Sequence, residues 1–391
     1  MTTTDHANAL TAGALFQRLR DGVARTRGDL VADTGLGRAA VAARVDALLA
    51  AGLLVPAGAA SSTGGRPPQV VRFDAHAGAT LALDFGARHA TIGLADLSGE
   101  PIATVSRELD IAEGPETCLR LALDQARELL RDSRAELFGV GVGVPGPVEH
   151  STGRPVNPPI MPGWDGFDIP GAVREELDGE VQVDNDVNIL AIGEHALRGG
   201  AVDDLVYVKV ATGIGAGIIS GGLLQRGALG SAGDLGHIHV RLPESPLVAP
   251  GDERDLEAVA SGTAVAAALR ERGTPAHSNA DVVRLIQAGD ADAITLTREA
   301  GRVLGEALAI VVNLMNPSMI VIGGSLGRVA DHLIAGAREV VYRRSIPLAT
   351  QHLRIEPSRG GVTAGVRGAA TMALQAALSP AAVDRRLAAQ G

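Results

Sequence analysis

The segment that most constrains this chain is Val183-Asp184-Asn185-Asp186-Val187-Asn188, where two carboxylates flank an amide directly after an apolar run. Carboxylates are costly to bury, so a strand that ends in them is expected to open into a cleft. Further along, Thr212-Gly213-Ile214-Gly215-Ala216-Gly217 forms a glycine turn between two strand-like runs. Together the two segments predict a carboxylate that lies beside a phosphate-binding type of loop.

Length and composition predict two or three domains with large cores, since the chain has 391 residues of which 46% are hydrophobic. No apolar run of about 18 residues occurs, so we expect no membrane span. The start at Met1 lacks a charged and an apolar region, so we expect no secretory signal. The single cysteine, Cys118, excludes an internal disulfide and a cysteine-cluster metal site. A cytoplasmic protein is the expectation.

The first 75 residues differ from the rest in charge and pattern. They hold eight arginines and six aspartates, whereas the whole chain has a net charge of −10. A weakly basic head on an acidic body is expected where only the head meets phosphate. The charge of the head therefore agrees with nucleic-acid binding, provided that its helices form a DNA-binding motif.

Three short helices are predicted in the head. The first covers roughly residues 9–21, and the second is capped by Thr26 with Asp29 in the acidic position of a capping box. The third runs from Arg38 to Ala50 after a Leu36-Gly37 turn. Two strands, 53–55 and 70–73, follow it. This spacing predicts a winged helix-turn-helix over residues 1–75, with a small three-helix interaction domain as the alternative.

The segment between those two strands favours DNA binding. In Gly64-Gly65-Arg66-Pro67-Pro68, Gly65 lets the backbone approach a duplex, Pro67 holds an extended strand, and Arg66 can enter a narrow minor groove. On the third helix we expect Arg38, Ala39, Ala42 and Arg44 to be exposed. Arg38 and Arg44 can contact guanine edges or phosphates.

The body repeats one order of elements. Strand-like runs at 80–85, 90–95 and 102–109 precede a helix near 115–132 and a strand at 137–144. Runs at 205–210, 215–220 and 223–225 precede a long helical region and a strand at 318–322. Two similar halves predict a bilobal α/β fold with a cleft between the lobes. We place the first lobe at 76–187, completed by a C-terminal helix over 365–391, and the second at 188–364.

Four segments are expected to meet in the cleft, each with a plainer alternative. Asp84-Phe85-Gly86 can hold a metal-phosphate group or be an ordinary hairpin turn. Asn157, near Trp164, can pair with hydroxyls through its amide or lie in a plain proline-rich loop.

The other two segments carry more charge. Asp186 can accept a proton from a hydroxyl, although Asn185 or Asp186 can equally cap a helix that starts near Val187. Asp234 and His237, with Glu257 farther on, can bind neighbouring hydroxyls, although a lone histidine is more often structural.

Taken together, these residues resemble the ROK family (repressor, open reading frame, kinase). The motifs that carry the resemblance are Val-Asp-Asn-Asp at 183–186, Thr-Gly-Ile-Gly-Ala-Gly at 212–217, Ala-Gly-Asp-Leu-Gly-His at 232–237 and Gly-Gly-Ser at 323–325. The head with Gly-Gly-Arg-Pro-Pro resembles the repressor branch. The resemblance implies an actin/hexokinase-like (ribonuclease H-like) body, with sugar binding and dimerisation in the second lobe.

The resemblance also implies roles for individual residues. Asp186 matches the catalytic base of the family's kinases. The positions that match sugar contacts, or that the residues themselves suggest for that role, are Asn157, Asn185, Asp186, Asp234, His237 and Glu257. Those that match nucleotide-side turns are Asp84, Gly86, Thr212, Gly213, Gly215, Gly323 and Gly324.

Three departures from the family pattern bear on activity. Ala87-Arg88 replaces a hydroxyl residue on the first glycine-rich turn, which argues against magnesium-phosphate positioning. The stretch 247–255 lacks the cysteines of the family's zinc site, so we expect no zinc and no other cofactor. Asp234 stands where the family normally has Glu.

The sequence therefore predicts a DNA-binding regulator, a repressor by its branch, that binds operator DNA as a homodimer or dimer of dimers and responds to a sugar or sugar phosphate. No catalytic residue is expected. An ATP-dependent sugar kinase with an added DNA-binding domain is the main alternative, and a sugar-binding scaffold without DNA affinity is another.

Overall fold

The head is a winged helix in a computed structural model that describes residues 10–59, 69–241, 247 and 253–390. Its helices are α1 (Ala12–Phe16), α2 (Arg27–Thr34) and α3 (Arg38–Ala50). Its strands are β1 (Arg25–Thr26), β2 (Leu54–Ala59) and β3 (Gln69–Phe73), which form an antiparallel sheet in the order β1-β3-β2. The predicted α3 has the observed bounds, whereas the predicted first helix ends at Phe16 because the chain continues in turns.

Local sequence explains why α2 and α3 form a helix-turn-helix. Thr26 accepts a hydrogen bond from the Asp29 amide while the Asp29 carboxylate accepts one from the Thr26 amide, so the predicted capping box is confirmed. Gly35 ends α2 with a φ of 70°, a left-handed conformation that glycine adopts without a steric penalty. The α3 helix then buries Val41, Val45 and Leu48 against the other head elements.

The first lobe is built on a five-stranded sheet in the order β10-β7-β4-β5-β6. Its elements are β4 (Ala79–Phe85), β5 (His89–Asp96), β6 (Pro101–Glu108), α4 (Pro115–Ser133), β7 (Leu137–Val144), β8 (Val148–Glu149), β9 (Arg154–Pro155), α5 (Ile169–Arg174) and β10 (Glu180–Asn185). The strands β4, β7 and β10 are parallel, and β5 and β6 continue the sheet antiparallel. The carboxyl ends of the parallel strands therefore meet at one edge, which faces the cleft.

The second lobe has a sheet of the same design, in the order β13-β12-β11-β16-β17. Its elements are α6 (Asp186–Leu197), β11 (Leu205–Val210), β12 (Ile214–Ser220), β13 (Leu223–Gln225), β14 (His239–Arg241), β15 (Glu253–Asp255), α7 (Leu256–Ala260), α8 (Gly262–Glu271), α9 (Asn279–Gln287), α10 (Ala291–Met315), β16 (Met319–Gly323), α11 (Ala330–Arg344), α12 (Pro347–Thr350) and β17 (Arg354–Pro357). Three antiparallel strands are again followed by parallel ones. The predicted repeat of two α/β halves is confirmed.

Two helices cross where the lobes meet. The α6 helix packs against β11 and β12 of the second lobe and against α13 (Ala364–Ala377), which covers the sheet of the first. A side chain at Gly193 or Gly368 would collide with the backbone of the opposite helix, so glycine permits this close crossing. The domain boundary expected near residue 187 falls where β10 ends and α6 begins.

The C-terminal segment contains two helices rather than the one predicted over 365–391. The chain bends after α13, and α14 (Pro380–Gln390) packs against α1 of the head. Leu374, Leu378 and Val383 belong to one buried cluster with the head core and with Leu97 and Phe138 of the first lobe. Only α13 therefore completes the first lobe, whereas α14 joins that lobe to the head.

Among the described residues, no helix is both long enough and apolar enough to span a membrane.

Candidate functional site

The floor of the cleft forms where β10 passes into α6. Asn185 caps α6, since its side-chain oxygen accepts a hydrogen bond of 2.9 Å from the Val187 amide. Its amide nitrogen donates to the Gly146 carbonyl at 2.8 Å. Asn185 therefore holds the carboxylates on either side of it in fixed directions, and the capping alternative for this residue is realised.

Asp184 is 2% exposed and is compensated by neighbouring donors. One carboxylate oxygen accepts hydrogen bonds from the Asn188 side chain at 2.7 Å and from the Asn185 amide at 2.8 Å. The other accepts from Arg226 Nε at 2.6 Å. Because Arg226 follows β13, this ion pair joins the floor of the first lobe to the second. A buried charge needs such partners to be tolerated.

His150 lies on the same side of the cleft, with its Nδ1 4.0 Å from Asp184 Oδ2. Burial lowers the pKa of His150, and the positive charge of Arg226 lowers it further, although Asp184 opposes both. The imidazole is thus disfavoured as a cation, and Arg226 supplies the positive charge next to Asp184.

Asp186 forms an ion pair with Lys209, which projects from β11. Burial alone would lower the pKa of Lys209, yet the carboxylates of Asp186, Asp84 and Glu257 raise it above its ordinary value. Burial raises the pKa of Asp84 to about 7, and the charge of Asp186 adds to that rise. One ammonium is therefore surrounded by three carboxyl groups, and one of these is poised to hold a proton near neutral pH.

The first turn of α13 approaches Asp84 from the first lobe. A side chain at Gly365 would collide with Asp84 Oδ2, so this glycine gives the carboxylate its room. The α13 helix therefore begins in the cleft and ends beside the head.

Glu257 lies against the glycine turn between β11 and β12. Its Oε2 accepts a hydrogen bond of 2.9 Å from the Ile214 amide. A side chain at Gly213 would collide with this carboxylate, and one at Gly236 would come within 3.3 Å of it. Gly213 thus makes room for a carboxylate inside a turn that the sequence associates with phosphate, whereas a side chain at Gly236 would collide first with the Ile214 carbonyl.

Asp234 and His237 pair at 2.7 Å between Asp234 Oδ1 and His237 Nδ1, and both side chains are exposed. The hydrogen bond to Asp234 raises the pKa of His237, and the charge of Glu257 contributes to the shift. The pair therefore lies within electrostatic reach of the Glu257 carboxylate and offers a hydrogen-bonding edge to a ligand.

Asn157 is an exposed residue with a left-handed φ of 44° on a loop of the first lobe. Its backbone N–H donates to the Asp165 carboxylate at 2.7 Å. No contact among the described residues joins it to the carboxylates of the cleft. Trp164, grouped with it in the sequence, is fully buried and donates to the Ile111 carbonyl at 3.1 Å. Trp164 is therefore part of the core of the first lobe.

This arrangement matches one family over most of the chain. Residues 80–376 match the ROK family. The chain belongs to the ROK family. A xylose repressor from Caldicellulosiruptor bescii is 29% identical over 374 residues, which cover 91% of this chain and 93% of the relative. A glucokinase from Thermotoga maritima is 28% identical over 307 residues, which cover 75% of this chain and 96% of the relative.

Among solved structures, too, a regulator matches nearly the whole chain, whereas a kinase matches about three quarters of it. The structure of a ROK family transcriptional regulator, described as a homologue of the E. coli MLC protein, covers 99% of this chain and 100% of its own with a TM-score of 0.82 at 24% identity. The ROK family glucokinase from Streptomyces griseus, in complex with glucose and AMPPNP, covers 76% of this chain and 100% of its own with a TM-score of 0.64 at 26% identity. The first of these likenesses includes the winged-helix head, and the predicted winged helix on an actin/hexokinase-like ROK body is confirmed.

The remaining turns expected on the nucleotide side of the ROK fold are tightly built. Gly86 lies in the β4–β5 hairpin, where a side chain would meet the His89 ring. A side chain at Gly323 would collide with the hydroxyl of Tyr207, whose pKa burial raises to about 12. Gly324 has a φ of 85° and lies against the Val210 carbonyl.

The turn at Thr212 has its own contacts. Thr212 is exposed, and its carbonyl accepts a hydrogen bond of 3.0 Å from Thr263. A side chain at Gly215 would come within 3.0 Å of Val187, so this glycine lets the turn rest on the start of α6.

The zinc site implied by the family uses a histidine and three cysteines, whereas this sequence has one cysteine. A structural zinc needs several thiolate or imidazole ligands. The single cysteine, Cys118, is buried in the core of the first lobe, where burial raises the pKa of its thiol to about 11. His237 is paired with Asp234.

In the head, the structure separates two arginines that the sequence treats alike. Arg38 is exposed at the start of α3. Arg44 is half-buried, and its guanidinium donates to the Leu10 carbonyl at 2.6 Å and to the Ala40 carbonyl at 3.0 Å. The expectation of an exposed Arg44 is wrong because this side chain ties α3 to the segment before α1. The expected wing contacts Gly65, Arg66 and Pro67 lie outside the described residues.

Sequence reasoning missed two cations of the cleft, Lys209 and Arg226. Both act through partners distant in the chain, so no local pattern reveals them. One signal was available for Lys209, because a lone lysine in an otherwise apolar strand of an arginine-rich protein needs a buried partner.

Proposed function

We propose that this ROK protein is a DNA-binding transcriptional regulator of the repressor type, controlled by a sugar or sugar phosphate bound between its lobes. The observation that carries the proposal is the path of the last two helices. The α13 helix begins against Asp84 in the cleft, and α14 packs on α1 of the head. A ligand that moves the lobes therefore acts on the element that positions the head.

The ligand would bind at the floor of the cleft through hydroxyl groups. The carboxylates of Asp186 and Glu257 can accept hydrogen bonds from sugar hydroxyls, and the Asp234–His237 pair can add a donor and an acceptor. Because the ion pair of Arg226 with Asp184 links the second lobe to the end of β10 in the first, a ligand that engages the floor favours one relative placement of the lobes.

The DNA side would use the exposed start of α3, with Arg38 directed at a major groove. We propose a homodimer or a dimer of dimers, because paired heads can read two half-sites about 34–36 Å apart, or a multiple of that spacing. The whole-chain relative named a xylose repressor supports the regulatory function and the sugar class of effector.

A titration of operator DNA tests the proposal. The operator is first enriched from random-sequence duplexes with the full-length protein, and its affinity is then followed by fluorescence anisotropy while aldoses are added. Effector binding is expected to weaken the affinity by about 5–150-fold, the usual range of coupling between two sites. Asp186→Asn should abolish the sugar response and retain DNA binding, whereas Arg38→Ala should weaken DNA binding and retain sugar binding.

An ATP-dependent sugar kinase remains the second candidate. It is favoured by Asp186 at the position of the kinase base and by the glycine turn at 212–217. The glucokinase relative matches only the body, so the head has no part in that activity. ADP release with a hexose panel discriminates the two functions. Robust turnover that Asp186→Asn abolishes, together with failure to enrich any duplex, would replace the regulator by the kinase.

A further inference from the structure

The charge at the floor of the cleft distinguishes between two kinds of effector. Lys209, the lone lysine of the chain, is paired with Asp186 and lies within electrostatic reach of Asp84 and Glu257. Three carboxyl groups therefore face a single ammonium. The guanidinium of Arg226 is likewise engaged by Asp184 at 2.6 Å. The cations of the floor are thus neutralised by the protein itself.

The glycine turn beside the floor also holds a protein carboxylate. The amide of Ile214, the first residue of β12, donates to Glu257 at 2.9 Å. Gly213 allows this carboxylate to approach the backbone closely, because a side chain there would collide with it. An amide that binds Glu257 is not available to a phosphate oxygen, and the carboxylate repels a second anion.

We propose that the cleft binds an uncharged sugar and rejects sugar phosphates, with Lys209 acting as a fixed internal counter-ion for the carboxylates. This inference rests on the proposed function and narrows its effector from two classes to one. Hydroxyl groups can donate to Asp186 and Glu257, whereas a phosphate would add negative charge where carboxylates already outnumber ammonium groups. A neutral polyol is therefore the ligand whose polarity complements the floor.

Matched ligand pairs test the proposal on the full-length protein. Glucose and glucose 6-phosphate, xylose and xylose 5-phosphate, and N-acetylglucosamine and its 6-phosphate are compared by isothermal titration and by the shift in Tm. At least one neutral sugar should bind, and its phosphate should bind at least about tenfold more weakly. The same neutral sugar should change operator affinity.

Charge-altering variants show whether the floor sets this preference. At pH 8, where Asp84 is ionised, Asp84→Asn removes one negative charge and should narrow the difference in affinity between sugar and sugar phosphate, whereas the same change at exposed Asp132 should leave that difference unchanged. Lys209→Met should widen the difference in affinity between the sugar and its phosphate. Lys209→Arg, which keeps the positive charge, should leave that difference as in the wild type. The Lys209→Arg variant keeps the test valid if Lys209→Met fails to fold.

The outcomes separate this inference from the proposed function. A sugar phosphate that binds more tightly than its parent sugar, loses affinity in Asp186→Asn and alters operator binding would overturn the inference and leave the regulator standing. If Arg88→Ala abolished this tighter binding of the sugar phosphate, Arg88 in the hairpin of β4 and β5 would be the group that binds the phosphate. The inference would then be overturned as well. Failure of both members of every pair to bind would overturn both proposals.

Discussion

At the scale of single residues, Asp84 carries the strongest electrostatic consequence. Burial and the charge of Asp186 raise its pKa to about 7, from an ordinary value near 4. A carboxyl group with a raised pKa contributes stability below its unfolded pKa, and this contribution is lost as the pH rises through the folded pKa. Ionisation of Asp84 should therefore cost stability between about pH 4 and pH 7.

The Asp84→Asn variant tests this sign. At pH 8 the wild type contains an ionised carboxylate in an unfavourable place, whereas at pH 5 the group is protonated. The variant should gain more Tm over the wild type at pH 8 than at pH 5, by about 2–4 °C for each kcal/mol recovered in a domain of 150–250 residues. Differential scanning calorimetry measures both values. An equal difference at the two pH values would contradict the raised pKa.

Arg38 and Arg44 make a second pair of residue-scale predictions. Arg38→Ala should weaken operator binding by about 1–3 kcal/mol if the side chain contacts a guanine and by less if it contacts phosphate, with no change in Tm. Arg44→Ala should instead lower Tm, because two backbone carbonyls lose a charged donor. Anisotropy and calorimetry on both variants separate the two roles. A fall in Tm for Arg38→Ala would place its side chain in the packing of the head.

At the scale of elements, the sequence predicts what local chemistry determines. The bounds of α3, β7, β11 and β13 agree with the prediction, because capping residues, glycine turns and apolar periodicity act over a few residues. The break between α13 and α14 was missed although Ser379-Pro380 marks it in the sequence, since proline is favoured at the first position of a helix and disfavoured in its interior. Docking on the head, a tertiary contact, decides where α14 lies.

The same limit applies to the site. Asp184, Asp186 and Glu257 can be selected from motifs, but Arg226 and Lys209 pair with them across more than 20 residues of chain, as the 42-residue separation of Arg226 from Asp184 illustrates. Arg44 shows the same limit, since helical spacing predicts an exposed side chain, whereas its guanidinium donates to the Leu10 carbonyl, 34 residues away in the chain.

The contact between α14 and α1 supports a prediction about coupling. Asp384 Oδ1 accepts a hydrogen bond of 2.8 Å from the Gly13 amide at the start of α1. Asp384→Ala removes this charged acceptor, which is worth about 0.5–2 kcal/mol at a helix start. We expect weaker operator binding and a smaller effector response, with unchanged sugar affinity by titration calorimetry. As a control, the same change at exposed Asp331 on α11 should alter none of these quantities. If the effector changed operator affinity equally in Asp384→Ala and in the wild type, α14 would not couple the sugar site to the head.

At the scale of the whole molecule, the buried clusters predict which parts unfold together. The cluster that contains Leu15, Val45 and Phe73 of the head also contains Phe138 of the first lobe and Leu378 between α13 and α14. The core of the second lobe, which contains Leu304 of α10, is a separate cluster. The head is therefore joined to the first lobe by a shared core rather than tethered by a linker.

Two matched leucine variants test this shared core, since Leu378 and Leu304 are both fully buried. Each change to alanine should cost about 2–5 kcal/mol where the core cannot collapse. In hydrogen exchange followed by mass spectrometry, Leu378→Ala should reduce protection in α2, α3 and β7 together, while α10 keeps its protection. Leu304→Ala should have the opposite distribution. If Leu378→Ala exposed only the head and left β7 protected, the first lobe would fold independently of the head, and movement of that lobe could not be transmitted to the DNA-binding helices through their common core.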